Sequence, residues 1–248
     1  MSEIKLLQGD CLELMKQIPD KSIDMVLCDL PYGTTACKWD SVIPFDKMWE
    51  QLNRVIKENS AILLFGNEPF TSVLICSNLK GFKYRWDWNK HIPSGFGYAK
   101  YRPMQQTEDV CVFSKNGNKT NYYPQMIKRD KPFYNGGNTK GTNVYGHFKC
   151  RENNDYKKLY TEKYPTTLIE FNKIRQGAVH PTQKPTDLLE YLIKTYTLEN
   201  ETVLDFTMGS GSTGVACKAT NRNFIGIELD EKYFKIAEQR INNGFVQE

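Results

Sequence analysis

Residues 203–214 read Val203-Leu204-Asp205-Phe206-Thr207-Met208-Gly209-Ser210-Gly211-Ser212-Thr213-Gly214. A short apolar run ends on an acid, a glycine-rich turn follows, and a helix opens near Ser212. A second apolar run, Asn223-Phe224-Ile225-Gly226-Ile227-Glu228, also ends on an acid. Few architectures accept this pattern, and a parallel strand–helix–strand unit is the one it predicts. Glycine has no Cβ, so the turn can bend sharply and lie against a ligand. Glu228 stands 23 positions after Asp205 and 17 after Gly211, near the roughly 20-residue spacing at which an acid reaches the hydroxyls of an adenosine ribose. The pattern therefore predicts a nucleoside-binding unit. The plainer alternative is a crossover whose acid is incidental.

A second motif stands far upstream. The apolar run 23–28 is followed by Asp29-Leu30-Pro31-Tyr32-Gly33. An acid, a proline and an aromatic ring thus share the turn at the C-terminal end of a buried strand, the edge at which open parallel sheets bind ligands. These residues suit a planar base with an exocyclic amine. The carboxylate accepts one amine hydrogen, a turn carbonyl accepts the other, and the ring covers the face of the base. Asp, Pro and Gly are also ordinary turn residues, and only the downstream unit favours the chemical reading.

Gly209, Gly211 and Gly214 spell G-x-G-x-x-G, which raises a nicotinamide cofactor and an oxidoreductase as an alternative. Only 34 residues follow Gly214, too few for the second half of a dinucleotide fold built onward from there. A cofactor with one nucleoside and a reactive group, S-adenosylmethionine, fits better.

In these motifs and their order the chain resembles the DNA amino-methyltransferases of the permuted β class. There a D/N/S-P-P-Y element precedes the recognition region and the cofactor loop comes last. The likeness runs from Gln8-Gly9-Asp10 to about Ile241. It is carried by Asp29-Leu30-Pro31-Tyr32, by His180-Pro181-Thr182-Gln183-Lys184-Pro185, and by Asp205 to Gly211. It implies a Rossmann-like α/β methyltransferase fold, with a mostly parallel seven-stranded sheet, helices on both faces and a circularly permuted order. It implies catalytic roles for Asp29, Leu30, Pro31 and Tyr32. Cofactor contacts are implied from Asp10, Cys11, Thr182, Gln183, Lys184, Asp205, Phe206, Thr207, Gly209, Ser210, Gly211 and Glu228. Residues 182–184 would face the cofactor carboxylate, since cations and helix N-termini attract anions. Two departures stand out. Leu30 replaces the first proline of the motif but keeps a carbonyl. Phe206-Thr207 replaces the Pro-Phe of the cofactor loop, so position 207 offers the cofactor no aromatic ring. The resemblance also implies adenine N6 rather than cytosine N4 as the methylated amine, because members with Asp at the position of Asp29 usually modify adenine.

Charge is distributed unevenly. Residues 80–184 hold 20 Lys+Arg against 8 Asp+Glu, while the rest holds 13 against 21, within a net charge of +4. A basic middle on an acidic body is the footprint of a polyanion-binding segment. The stretch 116–178 breaks the strand–helix rhythm, is rich in Asn, Lys, Tyr and Gly, and shows few apolar residues at either period. It is read as an inserted target-recognition region within one catalytic domain spanning 1–248. Arg102, Lys128, Arg129 and Lys131 are the candidate DNA contacts, and double-stranded DNA is the expected partner. A flexible surface insertion on an ordinary basic face is the alternative.

The remaining expectations are brief. No run of about 20 apolar residues exists, and the N-terminus lacks a signal-peptide pattern, so a cytoplasmic protein without a membrane partner is expected. The seven cysteines never form C-x-x-C and the three histidines are scattered, so no metal is expected. A homodimer, a cognate restriction nuclease, an RNA substrate and a DNA-binding protein without activity all stay open. Trp39-Asp40 suggests no role beyond packing for Trp39.

Overall fold

Successive residues of a strand point to opposite faces, so the unbroken apolar run at 23–28 calls for cover on both sides. It has that cover. Met25 and Leu27 belong to one core and Val26 and Cys28 to the other. The computed structural model describes residues 2–33, 41–134, 159–174, 179 and 183–243. Its elements, in chain order, are β1 (Ile4–Gln8), α1 (Cys11–Met15), β2 (Ile23–Asp29), α2 (Phe45–Val55), β3 (Ile56–Gly66), α3 (Phe70–Ser77), β4 (Phe82–Ser94), β5 (Gln105–Ser114), β6 (Ile127–Tyr134), β7 (Leu159–Lys163), β8 (Leu168–Glu170), α4 (Thr186–Tyr196), β9 (Thr202–Asp205), α5 (Ser212–Ala219), β10 (Asn223–Glu228) and α6 (Glu231–Asn243). They form two compact units, Met1–Tyr123 with Thr167–Glu248, and Pro124–Thr166.

The larger unit is an α/β sandwich around one sheet ordered β1-β10-β9-β2-β3-β5-β4-β8. Only β5 runs against the others, pairing antiparallel with both β3 and β4. The sheet has eight strands where seven were expected. The eighth, β8, is three residues long and pairs parallel with β4 from Asp87↔Leu168 to Asn89↔Glu170. Three residues, of which only Ile169 is buried, are too short to show a period, which is why the sequence concealed them. Apolar residues of α1, α2 and α3, such as Met15, Met48, Leu52 and Leu74, cover one face. Those of α4, α5 and α6, such as Leu188, Leu192, Ala216 and Ile241, cover the other. Helix α2 stops at Val55, because Ile56 already belongs to β3.

The order of crossovers positions the ligand edge. From β9 the chain crosses through α5 to β10 on one side; from β2 it crosses through α2 to β3 on the other. Strands β9 and β2 are parallel neighbours, with Met25 opposite Val203 and Val26 opposite Leu204. Between them the direction of winding reverses, and the crevice beyond such a reversal is where open α/β sheets bind ligands. Both sequence motifs end on it.

In the smaller unit, β6 and β7 form an antiparallel pair with a register break between Lys128 and Phe133. No regular element was expected there. The strand Ile127–Tyr134 has almost no buried residue, so it carries no alternation to read, and Pro132 lies inside the break, where a ladder tolerates proline. Phe133 stacks on Tyr160 at 5.7 Å. The Arg129 guanidinium lies 4.6 Å from the Phe133 ring and donates to the Glu162 carbonyl.

Candidate active site

At the end of β2, Asp29 is held from both sides. The Tyr32 hydroxyl donates to its Oδ1 at 2.8 Å, and the Lys184 ammonium donates to Oδ2 at 2.7 Å. Lys184 is only 8% exposed. It also meets Glu108 Oε1 at 2.8 Å, and Lys90 stands 3.6 Å from the other oxygen of Glu108. Four charges from four segments thus alternate in sign into the molecule: Asp29, Lys184, Glu108, Lys90. The Phe65 ring lies 4.9 Å from the Lys184 nitrogen. Burial raises the Asp29 carboxyl above the usual range, and the neighbouring ammonium opposes that rise. For Lys184 burial alone would lower the value, but the Asp29 and Glu108 carboxylates outweigh it and hold the ammonium above an ordinary lysine. The Tyr32 ring packs 4.8 Å from Phe70, so its hydroxyl bond and its ring contact together set its tilt.

The glycine loop after β9 is fastened to this turn. The Thr207 hydroxyl donates to the Asp29 backbone carbonyl at 2.8 Å. Cys28 Sγ lies 2.9 Å from the Thr207 hydroxyl oxygen, and burial holds Cys28 as the neutral thiol. This explains the threonine where an aromatic is usual: the side chain bridges two loops instead of presenting a ring. Thr207 N–H donates to Asp205. Asp205 is buried and its carboxyl is pushed up to about 7, chiefly by burial. Glu228 accepts from Gly209 N–H and Asp230 N–H, one on each carboxylate oxygen and each at 2.8 Å. Gly209 and Gly211 have φ of 52° and 78°, the left-handed region that glycine enters without strain. A Cβ on Gly211 would come within 2.8 Å of Ala237 Cβ, so this glycine also lets α6 close over the loop. From behind, the Arg240 guanidinium donates to Ser210 O at 2.6 Å and to its hydroxyl at 2.9 Å.

One cavity of about 360 Å³ opens between these parts. Its walls include Asp29, Leu30, Pro31, Tyr32, Asp10, Cys11, Gln183, Lys184, Asp205, Phe206, Thr207, Gly209, Ser210 and Glu228. All were candidates from sequence. Gly211 does not line it and acts through backbone shape. Thr182, with His180 and Pro181, lies outside the described residues, as do Trp39 and Asp40. Asp10 caps α1 through Oδ1, taking Leu12 N–H and Glu13 N–H, which leaves Oδ2 for a ligand. Arg102 sits away from the cavity, its guanidinium 5.2 Å from the Tyr98 ring. Lys128, Arg129 and Lys131 belong to the smaller unit.

Sequence reasoning missed Glu108, Lys90 and the cavity wall Ser41-Val42-Ile43-Pro44. The only sequence sign of Glu108 is a pair of acids, Glu108-Asp109, heading the apolar run Val110–Phe113. The expectation that Lys184 serves a cofactor carboxylate meets a competing fact, since its charge is already shared by two protein carboxylates.

With this geometry in view, comparison with known proteins defines the class. The N6_N4_Mtase family, DNA methylase, matches residues 23–239. The chain belongs to that family of DNA methyltransferases. It is 27% identical over 268 residues to the Type II methyltransferase M1.MboII of Moraxella bovis, covering 96% of both chains. Two solved structures share the fold: the M1.HpyAVI–SAM complex (TM-score 0.60, 22% identity, 96% of this chain and 99% of that one), and the PvuII DNA methyltransferase, described as cytosine-N4-specific (TM-score 0.68, 16% identity, 100% and 89%).

Proposed function

We propose that the protein transfers a methyl group from S-adenosylmethionine to the N6 amine of an adenine flipped out of duplex DNA. The observation that carries this reading is the join between the two motifs. The Asp29 turn and the glycine loop share one cavity and are tied by the Thr207 hydroxyl, so an amine held at Asp29 lies beside whatever the loop holds. The cavity suits a cationic ligand with a single nucleoside. Among the described residues, carboxyls of Asp10, Asp29, Asp205 and Glu228 line it against the ammonium of Lys184. About 360 Å³ is near the lower end of ligand pockets, which disfavours a dinucleotide.

When bound, the cofactor supplies an electrophilic methyl group on a sulfonium. The protein supplies position and charge. Asp29 accepts one hydrogen of the target amine and the Leu30 carbonyl the other, which draws the nitrogen toward tetrahedral geometry and frees its lone pair from the ring. A carboxylate offers about four lone-pair sites, so Asp29 can take the amine while keeping Tyr32 and Lys184. Lys184 holds Asp29 as the anion, the form that only accepts. The Tyr32 ring, fixed by its own bond to Asp29, covers the face of the base. Glu228 and Asp10 serve the ribose and the adenine of the cofactor. Rate then comes from alignment and preorganised dipoles, and no covalent enzyme intermediate is required.

Adenine is the preferred target because Asp stands first in the motif, as the family resemblance implies; cytosine N4 is the second reading, since the matched family is named for both amines. The Pro124–Thr166 unit, with the basic stretch around it, is the proposed target reader. The Type II relative supports a modification role beside a restriction nuclease. Incubation with labelled cofactor and mixed genomic DNA, followed by nucleoside analysis, tests the assignment. N6-methyladenine is expected, N4-methylcytosine would move the protein to the second reading, and unlabelled DNA would refute both.

A further inference from the structure

The loop joining β4 to β5 is unlike the rest of the larger unit. Every residue from Gly95 to Pro103 is exposed. Phe96 is 82% and Tyr101 86% exposed, and Tyr98 is 61% exposed beneath the Arg102 guanidinium. A Cβ built on Gly95 or Gly97 would meet nothing within 4 Å, so the loop stands clear of the body. It carries Lys100 and Arg102 and no acid. Its root is firm: Ser94 pairs with Gln105 across the strand ends, the Gln105 side chain bonds the Asn67 side chain, and Glu108, three residues on, is tied through Lys184 to Asp29.

Its place in the fold completes the argument. Strand β4 runs parallel to β2, because β5 reverses direction between β3 and β4. The end of β4 therefore lies on the same sheet edge as Asp29, three strand spacings to the side, or roughly 14 Å, and it projects outward: Asp29 is level with Phe65, Val110 and Trp86, so the loop root at Gln105 stands five residues, roughly 17 Å, beyond it. A flipped base lies outside its stack, so the duplex it leaves stands beyond this edge, where the loop projects. An exposed aromatic ring is costly in water unless it meets an apolar or stacked surface, and rings interleaved with cations match stacked bases flanked by phosphates.

We propose that loop 95–104 is the wedge of this enzyme: Phe96 and Tyr101 enter the duplex beside the target, occupying stacking space that the flipped base leaves, while Lys100 and Arg102 hold the adjacent phosphates. This rests on the base-flipping reading above and extends it to residues outside the cavity. The ligand is double-stranded DNA opened at one step.

Flipping costs least for a base already mispaired, and this separates a wedge from a plain contact. The test uses the full chain, wild type against Phe96→Ala, Tyr101→Ala and the double variant. Each is given labelled cofactor and one of two duplexes containing the methylated site: one fully paired, the other with the target base mispaired. Removing a stacking ring should slow transfer to the paired duplex by roughly tenfold to 100-fold. On the mispaired duplex the loss should shrink to a few-fold, cofactor affinity should hold, and Phe96→Trp should retain activity. Variants equal to wild type on the paired duplex would overturn the wedge, as would equal losses on both duplexes, which would mark a general DNA contact. A wild-type protein that methylates neither duplex would overturn the methyltransferase reading and the wedge with it. Wild-type transfer matched by the variants would overturn the wedge alone.

Discussion

Lys184→Met removes the ammonium between Asp29 and Glu108 while keeping most of its length. At 2.7 Å from Asp29, a unit charge pair in an effective dielectric near 20 is worth about 6 kcal/mol. Part of that offsets the cost of burying the lysine. Breaking one side of a buried pair usually costs ~3–5 kcal/mol, because the remaining charge stays unpaired. Here two carboxylates would face each other, and the site would relieve the repulsion by protonating one. The sign follows from the burial that already raises Asp29 and from Lys184, which opposes it. Without Lys184 the Asp29 carboxyl rises further, so the acid limb of the methylation rate against pH should move to higher pH, with recovery in alkaline buffer. A loss of about 3 kcal/mol should lower Tm by roughly 6–12 °C for a domain of this size. Glu108→Gln in the same background removes the second carboxylate charge and should restore part of both losses. Initial methylation rates across pH, with calorimetry for cofactor affinity, read the outcome. A folded Lys184→Met protein with an unmoved acid limb would refute the argument. A large fall in cofactor affinity with an unshifted pH profile would instead favour a cofactor-carboxylate contact.

Three further outcomes are expected. Glu228→Ala should weaken cofactor binding by about 1.5–3 kcal/mol and also lower Tm, because two loop N–H groups lose their acceptor; calorimetry and a melting curve that both match wild type would show that neither role holds. Gly211→Ala should be destabilising, since its φ of 78° is strained for alanine and the new Cβ would lie within 3.0 Å of α6; a Tm equal to wild type would contradict that packing. Replacing Lys128, Arg129 and Lys131 together by Ala should flatten the slope of log DNA affinity against log salt by about 0.9 for each phosphate no longer neutralised, with cofactor affinity unaltered; an unchanged slope would remove this stretch from the DNA-binding surface.

The fold was legible where burial is two-sided or periodic. Runs such as 23–28 and 203–205, with helices repeating Leu188, Leu189, Leu192 and Ile193, declare a covered sheet directly. The site was legible where chemistry is local: an acid, a proline and a ring in four residues, or glycines spaced around a turn. What lay hidden was long-range pairing. Glu108 and Lys90 are ordinary polar residues until β4 and β5 bring them beside Lys184. Thr207 reads as a missing aromatic until its hydroxyl is seen to reach Asp29. The β6–β7 pair has no buried face, so its sequence carries no period, and β8 is too short to show one.

The central claim is that Asp29 acts on the target amine and has little part in holding the cofactor. Single-turnover methyl transfer by Asp29→Ala, measured beside its calorimetric affinity for the cofactor, tests this most directly. Transfer should vanish while affinity stays within a few-fold of wild type, because Asp10, Gln183, the glycine loop and Glu228 still line the cofactor side of the cavity. Wild-type transfer by a folded Asp29→Ala protein would contradict the account.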